Sequence, residues 1–344
     1  MSTPVKPAGA LRTIGERPLI DLIRQRFPSP PALLPVGIGD DAAVAVPPKG
    51  ALEVLTTDAL VEGVHFDLAF CSFADIGYKA LAVNVSDIAA MGGSPRLALL
   101  SLVLPNRLMI EEVTALLDGF GGMAAEAGIA LAGGNLTTTP GPLVVDVTVV
   151  GAVGPRKMLT RAGARPGDAV YVTGTLGAAA TGLAWLRSAG AGPADVPDEE
   201  DLAAAVARYR RPAPRSRAGA LLGRLRAASA CMDLSDGLGD AARQIAAASG
   251  VGITIDAGRL PILAGVRRWN LERGVDPVRL AAGGGDDYEL LFTVPSRRRG
   301  RFRTAVQQAR GLPMTLIGEV TASRDVLLLR DGAEEELPAG FSHF

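Results

Sequence analysis

Residues Tyr78–Pro95, YKALAVNVSDIAAMGGSP, constrain the fold more than any other stretch of this chain. Ala, Leu and Met have the best intrinsic helix propensity, so the run predicts a helix from about Phe73 to Met91. Gly92-Gly93 and Pro95 terminate it. Lys79, Val83 and Asp87 recur at i, i+4 and i+8 on one stripe, with Asn84 one turn before Asp87. Ala, Leu, Val and Ile surround the stripe, so the helix has little polar surface and is expected to be mostly buried. A buried Lys, Asn or Asp needs a partner, because an unpaired buried charge costs on the order of several kcal/mol. Two readings are open: a structural Lys79–Asp87 pair, or Asp87 as a metal ligand met by Asp- and Asn-bearing turns elsewhere.

At 344 residues, 48% hydrophobic and 21% charged, the chain suits two globular domains. A net charge of −1 gives no basic footprint for nucleic acid. No charged n-region precedes an apolar h-region, and no apolar run is long enough to span a bilayer. The expectation is a cytoplasmic protein with neither a nucleic-acid nor a membrane partner. Cys71 and Cys231 form no CxxC and read as reduced core residues. With only His65 and His343 beside them, a zinc site is disfavoured. Asp and Asn oxygens in quantity favour a hard cation, and Mg²⁺ is the one that accompanies nucleotide phosphates.

Residues 1–11 read as loose, Thr13–Phe27 as a short helix, and Pro28–Pro31 as a linker. VGIGDDAAV (36–44) matches a GxGxxA dinucleotide fingerprint at Gly37, Gly39 and Ala42. Asp40 and Asp41, however, sit where a pyrophosphate would need N–H groups and positive dipole, so the pattern makes sense only with a cation in between. A strand Leu52–Thr56 is expected to deliver Thr57 and Asp58 at its end. His65 is either a ligand or an ordinary partly buried imidazole. A strand Leu97–Leu104, a helix Ile110–Ala127 and a short strand Ile129–Gly134 follow, the last ending in Gly133-Gly134-Asn135. Strand Leu143–Gly151 is expected to point Val145, Val147 and Val149 outward. The pattern resets near Gly154-Pro155, which places the expected boundary between domains 1–154 and 155–344.

Arg161 lies in the turn-rich LTRAGARPGD before strand Ala169–Thr173, and Gly174–Gly177 opens a helix. Strand Ala230–Asp233 runs into Asp233-Leu234-Ser235-Asp236, and DLSDGLGDA resembles the earlier NVSDIAAMG. Further on, GGGDDYE carries Asp286 and Asp287 ahead of strand Leu290–Val294. Arg297–Arg303 reads as the solvated start of a helix. Strand Met314–Val320, a hairpin at Asp331-Gly332 and the tail GFSHF close the chain.

Asp40, Asp41, Asp58, Asp87, Asn135, Asp233, Asp236, Asp286 and Asp287 cluster at predicted element ends, where folds place ligands. Carboxylates brought together repel by roughly 4 kcal/mol per pair at about 4 Å and an effective dielectric near 20, so a convergence of them requires cations. GxxxxGK[ST] is absent, and so are kinase HRD and DFG motifs. Phosphoryl transfer needs mainly positioning and charge neutralisation, which an acid-and-metal site with Lys79 and Arg161 nearby can supply.

GIGDDAAV, TTDALVEGVHF, YKALAVNVSDIAAMG, GGN, LTRAGARPGD, MDLSDGL, GGGDDYELLFTV and GFSHF resemble, in this order, the thiamine-monophosphate kinase family. The resemblance runs from about Gly15 to Phe344. It implies an α/β (α+β) synthetase-like fold of two domains, an N-terminal mixed sheet through which the chain homodimerises and a C-terminal α/β domain. It implies ATP-dependent conversion of thiamine monophosphate to thiamine diphosphate without a P-loop. Position by position, Asp41, Thr57, Asp58, Asp87, Asn135, Asp233 and Asp236 would hold Mg²⁺ ions, with Asp41, Asp87, Asp233 and Asp236 at the chemistry. Gly134, Arg161 and Ser235 would contact ATP; His65, Asp286 and Phe341 would face the thiamine moiety, Phe341 by stacking. The chain departs from many relatives at Asn135, where they have Asp, and at Asp286, where they have Glu. The alternatives are another ATP-dependent synthetase of the same superfamily and an inactive nucleotide-binding paralogue. A reactive Cys in a Gly-rich N-terminal segment, expected of selenophosphate synthesis, is absent.

Overall fold

A computed structural model describes residues 15–341; the expected loose segment, the helix start at Thr13 and the tail residues Ser342, His343 and Phe344 lie outside them. Helix α1 (Glu16–Arg26) precedes strand β1 (Leu52–Val61), helix α2 (Phe73–Ala90), strand β2 (Ser94–Pro105), helix α3 (Ile110–Ala127) and strands β3 (Ala130–Thr139) and β4 (Val144–Val153). The four strands form one mixed sheet in the order β1-β4-β2-β3, parallel only between β2 and β3.

α2 is the expected helix. Ser72 and Asp75 close a capping box at its start, each backbone N–H donating to the other's side chain at 3.1 Å. Gly92, at φ +69°, turns the chain just past its C-cap. Fourteen of its eighteen residues are buried, because it packs on neighbours all round rather than along one stripe. Two glycines permit the closest of these contacts. A Cβ at Gly77 would lie 1.9 Å from the Leu116 carbonyl oxygen of α3, and one at Gly219 would lie 2.0 Å from that of Ala89.

The sheet corrects three expectations. Val145, Val147 and Val149 are fully buried against α2 and α3 rather than outward, and Val144, Asp146, Thr148 and Val150 take the other face. β1 continues through Val61, so Asp58 sits mid-strand and not at a strand end. β3 likewise continues to Thr139, so Asn135 is a strand residue and not a turn. In each case the ladder to β4 or β2 satisfies backbone groups that the local sequence alone does not commit.

The second half is a seven-stranded sheet covered by helices. In chain order it comprises β5 (Ala169–Thr173), α4 (Ala178–Ala189), α5 (Glu200–Arg210), α6 (Ser216–Arg224), β6 (Ala230–Asp233), α7 (Leu238–Ser249) and β7 (Gly252–Asp256). There follow α8 (Ala264–Leu271), α9 (Pro277–Gly283), β8 (Leu290–Val294), α10 (Arg299–Gln308), β9 (Met314–Thr321), β10 (Val326–Arg330) and β11 (Ala333–Glu336). The sheet order is β11-β10-β7-β9-β5-β8-β6, with β10 and β7 the parallel pair. The hairpin at Asp331-Gly332 joins β10 to β11 as expected. α2 is shared between the halves. Its N-terminal half joins the core containing Tyr209 and Tyr288, and Ala90 packs with Leu221 and Leu222 of α6. No described helix is long and apolar enough to cross a membrane.

Candidate active site at the domain junction

Near its C-terminal end α2 carries the chemistry, with partners in both halves. Asp87 accepts a hydrogen bond from Thr56 Oγ1 of β1 at 2.5 Å. One residue earlier on the helix, Ser86 donates to Asp233 at the end of β6 at 2.7 Å, joining the two domains. Asp58, two residues from Thr56 and so on the same face of β1, shares a hydrogen bond with Asp87. Two carboxyl groups make that bond only when one keeps its proton. Asp58 is accordingly pushed up to about 7, first by burial and then by Asp87, with Asp146 and Asp236 adding to it. Burial, with the Asp87 charge next, also raises Asp233 to about 7. Asp87 itself is raised by burial, against the opposing pull of the Thr56 hydrogen bond and the Arg161 charge. Three carboxyls thus act on one another at the junction, with the Arg161 charge opposing the rise of Asp87. Arg161 is also held by Gln244 of α7.

The donors are all hard oxygen, and burial penalises their charge where a divalent cation would neutralise it, so their chemistry fits Mg²⁺. Among the described residues, no three His, Cys, Asp or Glu side chains enclose a metal position by themselves. Asn84, one turn before Asp87, buries a side-chain carbonyl oxygen with no hydrogen-bond partner among the described residues.

The remaining expected ligands lie elsewhere. Asn135 pairs across the sheet with Ser101, Ser101 with Asp146, and Asp146 with Ala59. Paired residues share a face, so Asn135 and Asp146 occupy the face opposite Asp58, and Asn135 lies three strand spacings from β1, roughly 14 Å. Thr57 is on that face too, donating to Asp146 at 3.1 Å. Asp40, Asp41, Gly134, Asn135 and Asp146 line an open cleft of about 1250 Å³ beside α1. Within one chain the expected single convergence is therefore two groups on either side of the first sheet. Gly134 is there for packing as well: a Cβ would lie 1.8 Å from the Leu100 carbonyl oxygen of β2.

The third group surrounds the loop before β8. Asp286 donates its N–H to the Ser235 carbonyl at 2.7 Å, and Phe341, half exposed, donates its N–H to the Asp236 carbonyl at 3.0 Å. His65 Nδ1 accepts the Val61 N–H at 3.1 Å, so the neutral ring carries its proton on Nε2. Lys79 resolves the first of the open alternatives: its partner is Asp286, at 2.9 Å, and not Asp87. Asp287 leaves the group of candidate ligands. Its buried carboxylate accepts the Gly177 and Ala179 N–H groups at 2.6 and 3.2 Å, capping α4.

The sequence reading missed Thr56, Ser86, Asp146 and Tyr288. Only Asp146 left a usable sign, since Asp and Thr two apart inside a valine run mark a polar face of a strand.

Comparison with known proteins agrees with this architecture. Residues 39–153 match the N-terminal domain of AIR synthase related proteins, and residues 165–329 match the C-terminal domain. The chain is 39% identical over 337 residues to the thiamine-monophosphate kinase of Escherichia coli K12, covering 96% of this chain and 98% of that one. The crystal structure of thiamine-monophosphate kinase from Stenotrophomonas maltophilia K279a superposes with a TM-score of 0.82 at 38% identity, over 96% of this chain and all (100%) of the other. AaThiL, complexed with AMPPCP and TMP, superposes with a TM-score of 0.75 at 35% identity, over 98% and 99% of the two chains. With both domains matched and this identity sustained over almost its whole length, the chain belongs to the thiamine-monophosphate kinase family.

Proposed function

We propose that this protein transfers the terminal phosphoryl group of ATP directly to the phosphate of thiamine monophosphate, releasing thiamine diphosphate and ADP. One observation carries the reading: at the domain junction Asp58 and Asp87 share a hydrogen bond, their charges act on Asp233 across the junction and Arg161 acts on Asp87, an acidic oxygen-rich place suited to cations and phosphates. AaThiL, at 35% identity, was solved with AMPPCP and TMP together, a nucleotide and an acceptor in one protein.

In this reading Asp58, Asp87, Asp233 and Asp236 hold Mg²⁺ on the helix side of the first sheet, while Asp41, Thr57 and Asn135 serve the cleft side. The bound cations would supply charge neutralisation for the polyphosphate. Arg161 and Ser235 hold ATP, and Gly134 keeps β3 close to β2 so that the nucleotide meets backbone. His65 presents an N–H from Nε2 to the acceptor, Asp286 a carboxylate to the cationic thiamine, and Phe341 a ring for stacking. The acceptor oxygen is already anionic at neutral pH, with a second phosphate pKa of about 6, so no side chain need act as general base. Transfer is then in line between two phosphates, and the protein's part is alignment and exclusion of water.

A homodimer through the first sheet follows from the same reading. The face away from α2 leaves Leu55 68% and Leu99 41% exposed, apolar side chains that a second copy would cover. The test is direct: purified protein with ATP, Mg²⁺ and thiamine monophosphate should give ADP and thiamine diphosphate in equal amounts, and EDTA should stop both. ADP and free phosphate without thiamine diphosphate would point to synthetase chemistry instead. Nucleotide binding without turnover would point to an inactive paralogue.

A further inference from the structure

We infer that Lys79 is the positioning residue of the acceptor subsite, a buried ammonium that aligns His65 from the first domain with Asp286 from the second. This rests on the reading above, which puts both of those residues on the thiamine monophosphate side.

Lys79 lies in the middle of α2 with its side chain only 2% exposed. Its Nζ sits 2.9 Å from Asp286 Oδ2, 3.3 Å from the His65 carbonyl oxygen and 4.5 Å from the centre of the Tyr209 ring. An ammonium has three N–H donors and no acceptor, so a carboxylate, a carbonyl and a ring face are matched partners. The two hydrogen-bonded partners are separated from it by 14 residues on one side and 207 on the other, and they belong to different domains.

Asp286 is held against its local preference. It adopts φ +67°, and Tyr288 two residues on adopts φ +49°, a region uncommon for non-glycine residues and more so for a bulky Tyr. The Asp286 N–H donates to Ser235 at 2.7 Å and the Tyr288 N–H to Leu234 at 3.0 Å. Tyr288 OH meets Asp286 Oδ1 at 3.3 Å, so both carboxylate oxygens have a partner. The Asp286 side chain is nevertheless 35% exposed, while Lys79 is sealed behind it. Lys79 therefore acts from the protein side and does not reach a ligand. Without its charge, Asp286 loses its counter-ion and the His65 carbonyl loses its donor together. The ATP-side Arg161 keeps its contact with Gln244.

The alternative is a structural staple between domains, and the two roles separate in kinetics. Lys79→Met should raise KM for thiamine monophosphate at least tenfold while KM for ATP stays within twofold. Lys79→Arg, which restores the charge, should recover part of that loss. In an Asp286→Asn background, Lys79→Met should add less than twofold, because the residue it positions is already altered. Equal rises in both KM values, or independent multiplying effects in the double variant, would overturn the inference. Should Lys79→Met prove unfolded in a melting scan, Lys79→Arg and Asp286→Asn decide, and an unselective effect from both is the overturning result. A wild-type protein that fails to consume thiamine monophosphate refutes the function; an active wild type indifferent to Lys79→Met refutes only this role.

Discussion

Replacing Asp233 with Asn should stabilise the metal-free protein while removing its activity. Asp233 is almost fully buried, accepts the Ser86 hydroxyl at 2.7 Å, and has its carboxyl raised to about 7 by burial and by Asp87. An Asn keeps the shape and an oxygen for Ser86 but carries no charge. Against the ordinary value of 3.8, the rise is about three pH units. At ~1.36 kcal/mol each that is a ceiling near 4 kcal/mol for ionising the group in the fold. Asp87 bears part of the same repulsion, so about 2 kcal/mol falls to Asp233. Because the folded value is the higher one, the native state holds the proton more tightly. Below about pH 4 the carboxyl is protonated in both states and the wild type loses nothing; as pH rises from about 4 through 7 stability is lost, and above that the loss is constant. In EDTA, Asp233→Asn and wild type should therefore melt closest together near pH 3, below the unfolded value. At pH 8 the variant should melt higher, by about 4–8 °C if each kcal/mol moves Tm by ~2–4 °C. A variant that melts at or below the wild type at pH 8, or a gap that does not change with pH, would refute the reasoning.

Asp87→Asn should abolish turnover and leave a folded protein, whereas near-normal activity with a large fall in Tm would make Asp87 a structural residue. His65→Ala and Phe341→Ala should each raise KM for thiamine monophosphate much more than KM for ATP; equal effects would remove both from the acceptor side. Asn135→Asp should lower the half-saturating Mg²⁺ concentration roughly tenfold, since about 1.4 kcal/mol of added charge pairing is one decade. Superimposed Mg²⁺ titrations would show that Asn135 is no weaker a position than Asp. Glu289 is fully buried between Arg208, at 2.5 Å, and Arg215, so Glu289→Gln should cost about 3 kcal/mol in urea unfolding, with two guanidinium groups left short of a counter-ion.

α2 was legible because its determinants are local: an Ala-rich run and a Gly-Gly stop lie within twenty-odd residues. The β5, β6 and β8 spans were legible for the same reason, as short apolar runs between turn residues. What local pattern did not give was face and register. Val145, Val147 and Val149 alternate with Val144, Asp146, Thr148 and Val150, and valine on both sides of the alternation hides which face meets the helices. Asn135 and Asp58 were read as meeting because each is a polar residue after an apolar run. The pairing order β1-β4-β2-β3, which keeps them apart, is set by contacts far apart in sequence. Lys79 and Asp286 are the sharpest case: 207 residues separate them, and helical spacing pointed to Asp87 instead.

The central claim is direct transfer between two phosphates at the domain junction, and isotopic tracing tests it most closely. ATP labelled on its γ-phosphorus is mixed with the protein, Mg²⁺ and thiamine monophosphate, and the products and the protein are separated. The account predicts that label appears only in thiamine diphosphate, one atom per ADP formed, with none retained on the protein. Label recovered as free phosphate without labelled thiamine diphosphate, or bound covalently to the chain during turnover, would contradict it.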